Sequence, residues 1–226
     1  MKVDHLEDLM ALPWCTALLS DPSVTHISKR LVPDANSERA NEDTLVSRAL
    51  FTDSSIRAYV TLYRPGNGQG REVGTGNLMI KSGFVRTEPS PESRQQETRR
   101  QAKKQEKHFD ISDSNSPEEI ALVSVGSDVN GGLGRLHGGI ICTLLDHCMG
   151  GFLHYAYETR ALLTAELTVK FKRPMYTPTV FMVRTKVKRE VGRWIETVGW
   201  VEDGHGTVFA EASATYVLVK IEEAKL

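Results

Sequence analysis

A run of helical periodicity from about residue 139 to residue 157 is followed by four segments that alternate apolar and polar residues. That order leaves few folds open: one long helix, then an antiparallel meander. Residues 164–172 put Leu167, Val169 and Phe171 on one face, and residues 179–188 follow Pro178. Residues 194–202 and 207–219 are joined by Asp203-Gly204-His205-Gly206, a hairpin turn signal. Upstream, residues 120–125 form a short apolar strand, and Asn130-Gly131-Gly132-Leu133-Gly134 is a turn-rich entry to the helix. The expected class is α+β, with a long helix wrapped by an antiparallel sheet.

Before this half, Ile56, Ala58, Val60 and Leu62 alternate with Arg57, Tyr59, Thr61 and Tyr63, the period of a half-buried strand. Leu6, Leu9, Met10, Leu18 and Leu19 read as short helical turns broken by Pro13 and closed near Asp21-Pro22, so residues 1–44 are expected to form a packing arm. Residues 23–44 read as polar and aperiodic. The main domain is expected over 45–221, interrupted by a polar insertion at about 66–118, with a tail at 222–226. Within the insertion, residues 88–108 hold no large apolar side chain and are expected to be disordered or loosely helical. Its basic cluster (Arg99, Arg100, Lys103, Lys104 and Lys107) reads as a solvated charge run, and the glycines at 66, 68, 70, 74 and 76 complete no phosphate-loop pattern.

Lys plus Arg is 28 and Asp plus Glu is 29, a net charge of −1, so no global field favours nucleic acid or an anionic membrane. The three cysteines, Cys15, Cys142 and Cys148, lack the spacing of a zinc site or a disulfide framework, and a reducing compartment is expected. No apolar run reaches the roughly 20 residues of a membrane span. The final Ala224-Lys225-Leu226 is similar to the small-basic-leucine address of peroxisomal import, so peroxisome and cytosol both stand.

At about 100° per residue, Ile141, Leu144, Leu145, Cys148, Phe152 and Tyr155 share one arc of the helix. Gly139, Thr143, Asp146 and Gly150 gather opposite. A face of small residues with one carboxylate suits close approach by another surface better than it suits water. His137-Gly138-Gly139 with Asp146 nine residues after the histidine would arise by chance in about one such chain in a thousand.

His137-Gly138-Gly139, Thr143-Leu144-Leu145-Asp146 and the segment from Thr164 to the Arg173-Pro174 pair together resemble the hot-dog acyl-CoA thioesterases, in particular their phenylacetate-type branch and its fungal relatives. The resemblance covers roughly residues 45–65 and 119–221, and Leu12-Pro13-Trp14-Cys15 resembles the fungal N-terminal extension. It implies a homodimer, or a dimer of dimers, with sheets paired edge to edge and each active site lying across the interface. The Gly138 N–H would polarise the thioester carbonyl at the helix N-terminus. Asp146 of the other subunit would act as general base or as nucleophile. Thr164 would orient the water or the carboxylate, and His137 would position the loop and the acyl group. Asn130, Gly139 and Thr143 are the expected substrate-binding residues, although relatives carry the amide at the position occupied here by Gly131. His147, which follows Asp146, should point about 100° away from it.

The function this implies is hydrolysis of an acyl-CoA or acyl-carrier thioester, without metal or cofactor. Lys170, Lys172 and Arg173 read either as phosphate contacts or as the wet face of a strand. Two alternatives stand beside hydrolysis. One is a catalytically silent acyl-binding accessory protein; the other is a hot-dog dehydratase or hydratase, whose own motifs are missing from the sequence.

Overall fold

The computed structural model describes residues 4–30, 44–66, 81–82, 106–157 and 162–219. Two short helices come first, α1 (Leu6–Met10) and α2 (Pro13–Ser20). Pro13 opens α2, where its missing N–H costs no intrahelical bond. The strands β1 (His26–Lys29), β2 (Ile56–Arg64), β3 (Lys81–Ser82), β4 (Glu106–His108) and β5 (Glu118–Val125) follow. A small ribbon, β6 (Asn130–Gly132) with β7 (Arg135–Leu136), leads into the long helix α3 (Gly138–Ala156). The chain then forms β8 (Leu162–Phe171), β9 (Thr179–Val191), β10 (Trp194–Glu202) and β11 (Val208–Leu218). The main sheet runs β3-β1-β2-β5-β9-β10-β11-β8, with β4 also paired to β9. Every pairing except β1 with β3 is antiparallel. The expected α+β hot-dog arrangement is present, with α3 touching β5, β8, β9, β10 and β11.

Two apolar layers hold the sheet. On its inner face Ile141, Leu144, Leu145, Met149 and Phe152 of α3 pack on Ala121, Val123, Phe181, Val183 and Ile195. Gly199 lets the helix come close, since a Cβ there would lie 3.0 Å from Met149 Sδ and 3.2 Å from a methyl of Leu145. On the outer face Leu9, Cys15 and Leu19 of the arm pack on Ala58, Val60, Leu62, Ile120 and Leu122. β5 is therefore buried on both faces along its whole length, which is why it reads as a continuous apolar run. Charge ties the arm down: Asp8 accepts from Arg57 at 2.7 Å and from Ser124 at 2.5 Å, and Asp21 pairs with Arg64 at 2.6 Å. Trp14 lies so close to the β10–β11 turn that a Cβ on Gly204 would sit 2.0 Å from its ring.

Two expectations need correction. His26–Lys29 is a strand, although residues 23–44 read as aperiodic; it is too short to show a period, and it forms because Ile27 is buried beneath the arm. Glu106–His108 is also a strand, although 88–108 read as disordered or loosely helical. Its order comes from tertiary contacts, with Glu106 paired to Arg189 on β9 and Phe109 packed on the core. Residues 67–80 and 83–105 of the insertion, with the basic cluster except Lys107, and Ala224-Lys225-Leu226 lie outside the described residues.

Glu119 is a buried carboxyl on the helix side of β5, directly opposite Thr185 of β9. Its Oε1 and the Thr185 hydroxyl have no hydrogen-bond partner among the described residues. Burial pushes the Glu119 carboxyl up to about 8. The folded protein thus keeps a proton that the unfolded chain releases above its ordinary value of 4.5. This group's contribution to stability is complete below that value and is lost as pH rises towards about 8. Glu119→Gln should raise the thermal midpoint relative to wild type more at about pH 8.5 than at about pH 5.5. An equal difference at both pH values in a melting series would refute the assignment.

Candidate functional site

The chain enters α3 through a tight ribbon, and this sets the first half of the site. Asn130 pairs with Leu136 in register, and the backbone N–H of His137 donates to Val129 O at 2.9 Å. His137 is the N-cap residue: its Nδ1 accepts from the Gly139 N–H at 2.9 Å, satisfying one of the helix's orphan donors. An accepting Nδ1 places the proton of the neutral ring on Nε2. As the first residue of α3, Gly138 has an N–H that no intrahelical carbonyl can take. The Phe171 ring stands beside it, 3.3 Å from where a Gly138 Cβ would be.

Asn130 and Thr143 are both engaged. Asn130 Oδ1 accepts from the Thr177 hydroxyl, and Thr143 Oγ1 donates back to Gly139 O at 2.9 Å. Gly131 lies close against His137: a Cβ there would be 3.1 Å from the ring and 3.2 Å from its Cα, a tight fit.

The second half of the site lies two turns further along α3. Thr164 Oγ1 donates to Asp146 Oδ1 at 2.9 Å, so the structure brings these two expected residues together. They line a cleft of about 290 Å³ with His147, Gly150, Gly151, His154, Leu162 and Tyr216. His147 borders the same cleft, but its ring meets Tyr59 of β2 edge-on at 5.5 Å, whereas Asp146 turns to β8 and β11. The small arc of α3 contributes as expected, since Gly150 leaves room beside Tyr216.

Tyr216 is the residue that the sequence reading missed. It is buried, and its hydroxyl lies 3.0 Å from Asp146 O and 3.1 Å from Asp146 Oδ1. Burial first, then the charge and hydrogen bond of Asp146, push its phenol well above the ordinary tyrosine range. In sequence it is one alternating aromatic of β11, with no local mark of its target. Of the basic residues, Lys172 is paired with Glu211 at 2.8 Å. Among the described residues no group of three or more His, Cys, Asp or Glu could hold a metal ion, and no helix is long and apolar enough to cross a membrane.

The two halves are separated within one chain. Gly138 and Asp146 are eight residues apart on one helix, a rise of about 12 Å. Both cannot reach the same carbonyl from one subunit.

Residues 133–210 match the family model of the thioesterase superfamily, which spans the helix, β8, β9, β10 and the start of β11. The match covers 78 of the 226 residues. Among solved structures, the chain is similar to a thioesterase superfamily protein at 27% identity and TM-score 0.41, covering 44% of this chain and 48% of that one. It thus spans about half the length of that relative. It is also similar to a phenylacetic acid degradation-related protein from Ralstonia eutropha (19% identity, 50% and 83% covered, TM-score 0.42). The E. coli PaaI protein from the phenylacetic acid degradation operon aligns at 14% identity, with 46% and 73% covered and TM-score 0.40. No curated protein matches the chain.

The cap geometry predicts a separable structural role for His137. His137→Ala should lower unfolding free energy by about 1 kcal/mol in urea titrations, whereas His137→Asn, which can still cap, should lose much less. Equal losses in the two variants would show that the cap is not what the ring contributes.

Proposed function

We propose that this chain hydrolyses an acyl-CoA or acyl-carrier thioester to the free acid and thiol, at sites shared between two subunits. The observation that carries the reading is Asp146 in a cleft, its Oδ1 held by Thr164, on a helix whose N-terminus presents a Gly138 N–H that has no acceptor among the described residues. A thioester carbonyl needs both a donor for the oxygen that gains charge and a base or nucleophile for its carbon. The Gly138 N–H, backed by the dipole of a 19-residue helix, is the donor. Asp146 of the second subunit supplies the carboxylate, which delivers water or itself to the carbonyl carbon. His137 holds the helix entry in place, with its Nε2–H turned to donor duty. Asn130, Gly139 and Thr143 would border the acyl group around that entry.

The 12 Å rise between Gly138 and Asp146 supports the shared site, because a second copy must bring its own Asp146 to this Gly138. The surface available for that pairing is β8, the last strand of the sheet, which exposes Leu163 and Phe171. The accessory-protein reading keeps the same cleft but no turnover.

Free-thiol release from short, medium, long and aromatic acyl-CoAs should be seen with wild type. It should fall at least about a hundredfold in Asp146→Ala. Gly138→Pro removes the N–H at a helix position that tolerates proline and should also be inactive. Mixing the two inactive variants should restore about a quarter of wild-type activity, because mixed dimers regain one intact site. Equal background rates in wild type and Asp146→Ala would move the accessory role to first place. No recovery after the two variants are unfolded and refolded together, with mixed dimers confirmed, would refute the shared site.

A further inference from the structure

The register between β8 and β11 breaks at one point. Leu167, Val169 and Phe171 face Ala214, Ala212 and Ala210, and strict alternation would continue that face with Ala165. The register shifts instead: Thr215 pairs with Glu166 and Tyr216 with Thr164, so Ala165 is left unpaired. A one-residue bulge of this kind turns the following side chains to the other face. Thr164 thereby joins the helix side of the sheet, directly opposite Tyr216, and both hydroxyls reach Asp146 Oδ1, at 2.9 and 3.1 Å. The phenol is also 3.0 Å from the main-chain oxygen of Asp146. A donor that spans the main-chain and side-chain oxygens of one residue restricts the torsion between them. Asp146 Oδ2 accepts from none of the described residues.

We propose that Tyr216 is a positioning residue for Asp146: set opposite Thr164 by the bulge at Ala165, its phenol fixes Oδ1 and leaves Oδ2 as the oxygen that acts in the cleft. The proposal rests on the reading of Asp146 as the group that attacks or activates water. The division of labour between the two oxygens needs both donors. Thr164 alone leaves the carboxyl free to turn about its bond to Cβ, and the two oxygens would then exchange roles. The phenol is suited to the task because it is buried and stays protonated, so it remains a donor across the pH range in which the carboxylate is charged.

Tyr216→Phe keeps the buried ring and removes only the hydroxyl. It should lower kcat about 10- to 100-fold through loss of orientation, with KM held within about twofold. Thr164→Val combined with Tyr216→Phe should approach the rate of Asp146→Ala. A second readout does not depend on turnover: in protein labelled with [13C]aspartate, the Asp146 carboxyl resonance, assigned with Asp146→Asn, should move in Tyr216→Phe. A wild-type kcat in Tyr216→Phe, or an unmoved resonance, overturns the proposal. If wild type releases no thiol from any acyl-CoA, the hydrolase reading fails, and the resonance alone then decides whether Tyr216 holds Asp146.

Discussion

Everything in this fold depends on burying the apolar stripe of α3 against the inner face of the sheet. The stripe is wide, from Ile141 to Leu153, and five strands meet it. Because that face of the helix is spent on the core, the opposite arc is free to carry the site. Gly150 keeps that arc shallow at the cleft. Interior glycines cost a helix about 1 kcal/mol each relative to alanine. Packing along the stripe offsets that cost.

The two halves of the site are positioned by different means. The entry to α3 is held by backbone geometry: a two-stranded ribbon, a histidine cap and a glycine whose side chain would collide with that cap. The far half is held by side chains converging from β8 and β11 on one carboxylate. On the proposed reading the first half aims the Gly138 N–H, and the second decides which oxygen of Asp146 acts.

Much of this was legible in the sequence. The helix was visible because its period is strong and its two faces differ in size as well as polarity. The strands after it were visible because one face is buried and the alternation is clean. His137, Gly138 and Asp146 stood out through their spacing, and Thr164 through the resemblance alone. What escaped had physical reasons. Strands β1 and β4 are too short to show a period and exist through partners far away in sequence. Tyr216 was hidden because its meaning lies in a bulge 51 residues from its own position, at Ala165 in β8, and alternation taken literally would have turned Thr164 outward.

The N-terminal arm has a consequence for how the molecule is made. Its apolar side chains rest on β2 and β5, and the bond from Ser124 to Asp8 spans 116 residues. During synthesis the arm is complete long before the strand that covers it has been translated. Leu9 and Leu19 must wait in contact with water or with transient partners until β5 arrives. The order of events is therefore fixed by the chain: the central sheet and α3 supply the surface, and the arm, although made early, can settle only late.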